Sequence, residues 1–101
     1  METTFYSKIV GTTFIKNSHE LLSNLKTGDK LILKRDKNNI YDPNAIIVLN
    51  TNNQKIGFIP KQTAASLAKD IDSGKKCECY VNEITGWQYN NLGCNIKLTL
   101  N

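Results

Sequence analysis

Lys30-Leu31-Ile32-Leu33-Lys34-Arg35, then Asp36-Lys37-Asn38-Asn39-Ile40-Tyr41-Asp42-Pro43-Asn44, then Ala45-Ile46-Ile47-Val48-Leu49: this stretch decides how the chain folds. Two apolar runs of strand length flank a polar segment rich in the turn formers Asp, Asn and Pro. They read as two strands with a long connection between them. Asn50 to Asn53 is a polar turn, and Lys55 to Ile59 is a third strand that completes a hairpin. Pro60 stops it, because a proline cannot donate to the strand ladder.

On the N-terminal side, Phe5 to Phe14 reads as a first strand, with Gly11 marking a bulge or a close backbone approach. Asn17-Ser18-His19-Glu20 offers a helix cap ahead of Leu21, Leu22 and Leu25 at helical spacing, and Gly28 ends that short helix. After Pro60, Ala64, Ala65, Leu67, Ala68 and Ile71 form an apolar helical stripe, with Lys69 and Asp70 on the wet side and Gly74 at the close. Cys77 to Ile84 and Cys94 to Leu100 are the last strands. In the second, Cys94, Ile96, Leu98 and Leu100 alternate with Asn95, Lys97 and Thr99. A mainly β chain with two short helices and five or six short antiparallel strands suits a small OB-like barrel, with an α+β roll as the alternative.

The 101 residues suffice for one domain, residues 1–101, around one core. Hydrophobic residues at 40% and charged residues at 22% are ordinary globular usage, which argues against a disordered or fibrous chain. The longest apolar run, Ala45 to Leu49, is far too short to span a membrane. Met1-Glu2-Thr3-Thr4 has no basic stretch leading into an apolar one, so no signal peptide is expected and the cytoplasm is the expected location. A net charge of +4 is compatible with a polyanionic partner without demanding one.

Catalysis finds little support. His19 is the lone histidine, far in sequence from Cys77, Cys79 and Cys94, and there is no Gly-rich phosphate loop or nucleophile elbow. The three cysteines are an odd number for a disulfide framework and lack a fourth zinc ligand. Cys77 and Cys79 share one face of a strand and read as small buried hydrophobes. Neither a metal nor a cofactor is expected, and the chain is not read as an enzyme.

The long loop carries the chemistry. Tyr41 stands beside Asp42, with Lys34, Arg35 and Lys37 just ahead. An aromatic ring stacks on a base, cations meet phosphates, and a carboxylate accepts from a sugar hydroxyl. The plainer reading has Asp42 capping the turn, Tyr41 packing as a lid and the cations facing solvent.

These residues resemble a known family, the HIRAN domain. Ile9-Val10-Gly11-Thr12-Thr13-Phe14 is similar to its opening motif. Leu31 to Asp36, Asn39 and Tyr41-Asp42-Pro43-Asn44-Ala45-Ile46 are similar to its central signature. Ile56-Gly57-Phe58-Ile59-Pro60 and Ile84-Thr85-Gly86 fit the segments that follow, so the likeness runs from about Phe5 to Leu100. The resemblance implies an OB-like barrel and a module that binds single-stranded DNA, recognising free 3′ ends or damaged or stalled-fork DNA, as in the HIRAN domains of Swi/Snf-type repair translocases.

By position, the resemblance implies Phe14 and Tyr41 as stacking aromatics and Asp42 as acceptor for the terminal hydroxyl. It makes Lys61 a phosphate contact, aided by the amides of its helix N-terminus. Lys34 and Arg35 are further phosphate candidates. Thr13 stands where eukaryotic members carry a basic residue and Ile15 where they carry an aromatic, so Thr13 offers phosphate a hydroxyl without a charge. The Trp87 and Tyr89 loop sits where another aromatic helps in the family. The expected partner is single-stranded DNA, with a DNA-repair or replication protein as a possible second. The rival reading is a protein-interaction module whose basic surface meets an acidic partner without touching DNA.

Overall fold

Alternating and β-branched residues set out six strands in the computed structural model, which describes residues 2–101. In chain order the elements are β1 (Thr3–Lys8), α1 (Ser18–Ser23), β2 (Lys30–Arg35), β3 (Ile46–Leu49) and β4 (Lys55–Phe58). There follow α2 (Lys61–Asp72), β5 (Cys77–Thr85) and β6 (Gly93–Leu100), with 3₁₀ turns at Thr12–Phe14 and Trp87–Tyr89. The strands form one antiparallel sheet in the order β1-β6-β5-β2-β3-β4. The first and last strands lie together, with Thr3 opposite Leu100.

The sheet curls at β2. Lys30 and Leu31 pair with Tyr80 and Cys79 of β5, whereas Ile32 to Arg35 pair with Leu49 to Ile46 of β3. One strand thus serves two partners in succession and turns the sheet into a curled half-barrel. The two edge strands then meet at a single point. Val10, just beyond β1, donates its N–H to the Phe58 carbonyl at 2.9 Å and accepts the Phe58 N–H at 2.9 Å. This is the OB-like architecture the strand pattern implied.

Closing the curl requires a glycine beneath the crossing. A Cβ on Gly57 would stand 2.3 Å from Ile9 Cγ2 and 2.7 Å from the Val10 carbonyl oxygen. The second contact is with backbone, which cannot swing aside. Gly57 is therefore the position that lets the end of β1 ride over β4.

The first strand is shorter than Phe5 to Phe14. It ends at Lys8, because Gly11 adopts the left-handed region (φ 74°) and Thr12–Phe14 winds into a 3₁₀ turn. α1 ends at Ser23; Asn17 takes φ 65° and its side chain makes no capping bond. Gly28 lies beyond α1 at φ 94° and donates its N–H to Val81 at 2.8 Å, shaping the entry to β2. On α2, Ala64, Leu67 and Ala68 are buried, but Ala65 faces solvent, being rotated about 100° from its neighbour. Gly74 does close this helix: Lys75 N–H bonds to Asp70 O and Gly74 N–H to Ile71 O, the reciprocal pair of a left-handed C-terminal cap.

The core collects Leu31, Ile46, Val48, Ile56, Val81, Ile96 and Leu98 from the strands, with Leu22 from α1 and Leu67 from α2. On β6, Cys94, Ile96 and Leu98 point inward and Lys97 outward, as the alternation predicts. Cys79 and Cys94 are buried in this core and Cys77 is half-buried; all three are free. Burial pushes the Cys79 and Cys94 thiols up to about 12 and the Cys77 thiol up to about 11. At neutral pH they are protonated small hydrophobes.

Gly57→Ala is expected to destabilise the fold by about 1–3 kcal/mol, the usual cost of forcing a group into a filled space. Urea denaturation of the two proteins measures the loss, and exposure of the Val10 and Phe58 amides to hydrogen exchange localises it to the crossing.

Candidate nucleic-acid interface

The polar loop between β2 and β3 is built before it is functional. Asp36 N–H donates to the Ala45 carbonyl at 2.9 Å, closing the loop at its neck. Within it the Asn39 side-chain oxygen accepts from the N–H groups of Tyr41 (2.9 Å) and Asp42 (3.0 Å), while Asn39 Nδ2 donates to Asp36 Oδ2 at 3.2 Å. Asp42 Oδ1 in turn accepts from Asn44 N–H at 3.0 Å. These Asx turns hold a segment that has no secondary structure of its own.

Arg35, the lone arginine of the chain, fixes the loop to the body of the domain. Its Nη1 donates to the Ala45 carbonyl at 2.8 Å and its Nη2 to the Pro43 carbonyl at 2.9 Å. Nε and Nη2 also meet the two carboxylate oxygens of Asp72, at 3.0 and 3.2 Å, in the forked geometry that lysine cannot reproduce. The side chain is only 11% exposed. Its hydrogen bond to Asp72 holds that carboxyl below the ordinary aspartate range against the opposing effect of burial, and the charges of the guanidinium and then of Lys37 add to the lowering.

Above this scaffold lies an open cleft of about 320 Å³ lined by Val10, Gly11, Phe14, Asn39, Tyr41 and Asp42, with Ala45, Phe58, Ile59 and Lys61. The crossing of Val10 over β4 brings the Phe14 turn to one wall. The Asn39 turns bring Tyr41 and Asp42 to the other, and the start of α2 supplies Lys61. Phe14 is 90% exposed and Tyr41 88%, which is expensive for aromatic rings unless something covers them. Phe58 is half-buried at the base of the cleft, with Lys55 Nζ 4.2 Å from its ring centre.

Four of the residues singled out from sequence therefore stand around one cleft: Phe14, Tyr41, Asp42 and Lys61. Thr13 is exposed on the same 3₁₀ turn and Lys34 is exposed on β2, but neither lines the cleft. The Arg35 guanidinium is engaged by Asp72 and the loop carbonyls, which leaves it a strut for the loop rather than a free cation. Asp42 does cap the turn, as the plainer reading had it, yet that uses one hydrogen bond, and a carboxylate offers about four acceptor positions. Tyr41 is not a packed lid. Asn39 and Phe58 were not among the predicted site residues; Asn39 could have been found from its Asx-turn position ahead of Tyr41-Asp42.

Residues 3–100 match the HIRAN domain family. The chain belongs to that family. The HIRAN domain of human HLTF superimposes with a TM-score of 0.77 at 26% identity, over 96% of this chain and 74% of that one. An HLTF HIRAN domain is also known in a DNA-bound conformation, with a TM-score of 0.66 at 26% identity, over 96% of this chain and 73% of that one. A protein from Lactobacillus plantarum shares the fold from end to end, with a TM-score of 0.79 at 22% identity over 100% of both chains. The helicase-like transcription factor of Oryctolagus cuniculus is 39% identical over 49 residues, 48% of this HIRAN chain but 5% of that far longer protein.

Arg35→Lys is expected to cost about 1–3 kcal/mol by leaving the Pro43 and Ala45 carbonyls without their charged donor, and to quicken amide exchange at Tyr41 and Asp42. Asp72→Asn tests the pair itself. Because the Asp72 pKa is depressed in the folded protein, its contribution is full above the ordinary aspartate value of 3.8 and is lost as the pH falls through the lower folded value. The melting temperatures of wild type and Asp72→Asn should differ at pH 7 and converge in acid.

Proposed function

We propose that this HIRAN domain binds single-stranded DNA and seats an exposed 3′ end in the cleft of Phe14, Tyr41, Asp42 and Lys61. The observation that carries this reading is the convergence of two solvent-exposed rings, a carboxylate and a lysine on one open cleft. The DNA-bound conformation of the HLTF HIRAN domain supports it from outside the chain.

Each side chain takes a role that its chemistry allows. Phe14 and Tyr41 supply faces on which terminal bases stack, at about 1–3 kcal/mol per base. Asp42, with acceptor capacity beyond its turn bond, receives the terminal 3′-hydroxyl and repels a terminal phosphate. Lys61 sits at the first position of the twelve-residue α2, so its charge and the amides of that first turn act together on an internal phosphate. Thr13 and Lys34 lie outside the cleft wall and serve the strand as it leaves. Stacking of two bases with three or four phosphate contacts gives a module of about micromolar affinity and a log–log salt slope of roughly −2 to −3.

Fluorescence anisotropy with a labelled oligonucleotide tests the proposal directly. A free 3′-hydroxyl is expected to bind at least about tenfold more tightly than a 3′-phosphate, a charged hydrogen bond contributing about 1.5–3 kcal/mol. Asp42→Asn should narrow that ratio, and Tyr41→Ala should weaken both ends by about tenfold or more. Equal affinity for the two ends sinks end capture; no binding at low salt sinks DNA recognition.

A further inference from the structure

The outer face of the sheet carries a second feature that the cleft does not use. The strand registers place Tyr6 of β1 opposite Lys97 of β6, Lys97 opposite Tyr80 of β5, and Tyr80 opposite Lys30 of β2. Side chains directly opposite one another in adjacent strands project from the same face. Four neighbouring strands thus present one row of alternating ring and cation: Tyr6, Lys97, Tyr80, Lys30. Tyr6 is 63% exposed, and Lys97 and Lys30 are exposed as well. Two grooves flank the row. One, of about 430 Å³, includes Tyr6, Lys8, Asn82 and Asn95; the other, of about 400 Å³, includes Tyr80, Asn82 and Lys97.

This row connects to the cleft. Tyr6, Lys8 and Val10 fall on alternate positions as the chain leaves β1, and Val10 lines the cleft. Pro60 lines the first groove while its neighbours Ile59 and Lys61 line the cleft. Four residues of extended chain separate Tyr6 from Val10, about 13 Å. At about 3.4 Å per stacked nucleotide that is a further four nucleotides of strand. The acid nearest the row, Glu78, is engaged: the Tyr80 hydroxyl donates to it at 2.6 Å and Lys76 Nζ stands 3.8 Å away. Glu83, exposed and opposite Asn95, adds a second carboxylate to this face, which Lys8, Lys30, Lys76 and Lys97 still outnumber.

We infer that the outer face of β1, β6, β5 and β2 is a second nucleic-acid surface, which takes the body of the single strand whose 3′ end occupies the cleft. Tyr6 and Tyr80 offer stacking faces, Lys97, Lys8 and Lys30 track the phosphates, and Asn82 and Asn95 offer amides to base edges. Such a face is indifferent to sequence and adds affinity with strand length. The inference rests on the end-capture reading, because the cleft sets where the strand begins.

The test compares three-nucleotide and twelve-nucleotide single strands, both with free 3′-hydroxyls, on the wild-type chain and on Tyr6→Ala and Lys97→Ala. Both side chains are exposed, so the variants are expected to melt as the wild type does. The wild type should bind the longer strand about tenfold more tightly, the scale of one stacked base. Tyr6→Ala should erase most of that gain and leave the short strand unaffected, while Lys97→Ala should lower the salt slope for the long strand by about 0.7. Wild-type affinity that does not rise with length, or a long strand bound by both variants as tightly as by the wild type, overturns the second surface while leaving end capture standing. Failure of both strands to bind the wild type removes both readings together.

Discussion

Everything at the cleft depends on one backbone pairing, the reciprocal 2.9 Å bonds between Val10 and Phe58. It forms because Gly57 leaves room for the Val10 carbonyl and the Ile9 side chain where any Cβ would collide. Without the pairing, the sheet from β1 to β4 would be an open ribbon with two bare edges, each a template for another chain. With it, the two edges are tied at one point and the Phe14 turn is set against the loop between β2 and β3. The closure of the half-barrel at this one point and a formed cleft are two results of the same contact.

The second constraint is the guanidinium of Arg35, which does for the loop what the Val10 pairing does for the turn. It binds two loop carbonyls and a carboxylate at the far end of α2, so the loop is referenced to a helix whose first residue, Lys61, faces the cleft. Twelve of the thirteen basic residues are lysines, and the single arginine stands where a fork is needed. Conformational order at an exposed loop normally costs affinity when a ligand arrives; here it is supplied beforehand by half-buried and exposed polar bonds.

Most of the strands were legible because their signal is local. The alternation of Cys94, Ile96 and Leu98 with Asn95, Lys97 and Thr99 states which face is buried without help from the rest of the chain. The same holds for the stripe on α2, apart from Ala65, whose small side chain suits either environment. What could not be read is what depends on distant partners. The first strand appeared to run on to Phe14 because Ile9, Val10, Thr12 and Thr13 favour extended backbone; the turn at Gly11 is set by packing against Phe58, far along the sequence. Arg35 looked like a free cation because Asp72 is a distant partner in sequence and its neighbours are solvent-facing. The cluster of Phe14, Tyr41, Asp42 and Lys61 was named from motif resemblance, and only the fold puts its members around one cleft.

The pairing of Thr3 with Leu100 has a mechanical meaning. The two ends of the domain leave from adjacent positions on β1 and β6, about 5 Å apart, an arrangement that lets a module be inserted in a longer polypeptide as a cassette. Tension applied between those ends would pull the two strands apart one hydrogen bond at a time, as a zipper opens, rather than shear the whole ladder at once. The first six register pairs to yield, from Thr3 to Lys8, lie between the point of traction and Val10. A domain joined in this way would stretch from its outer edge first and keep its grip at the far end until that edge had gone.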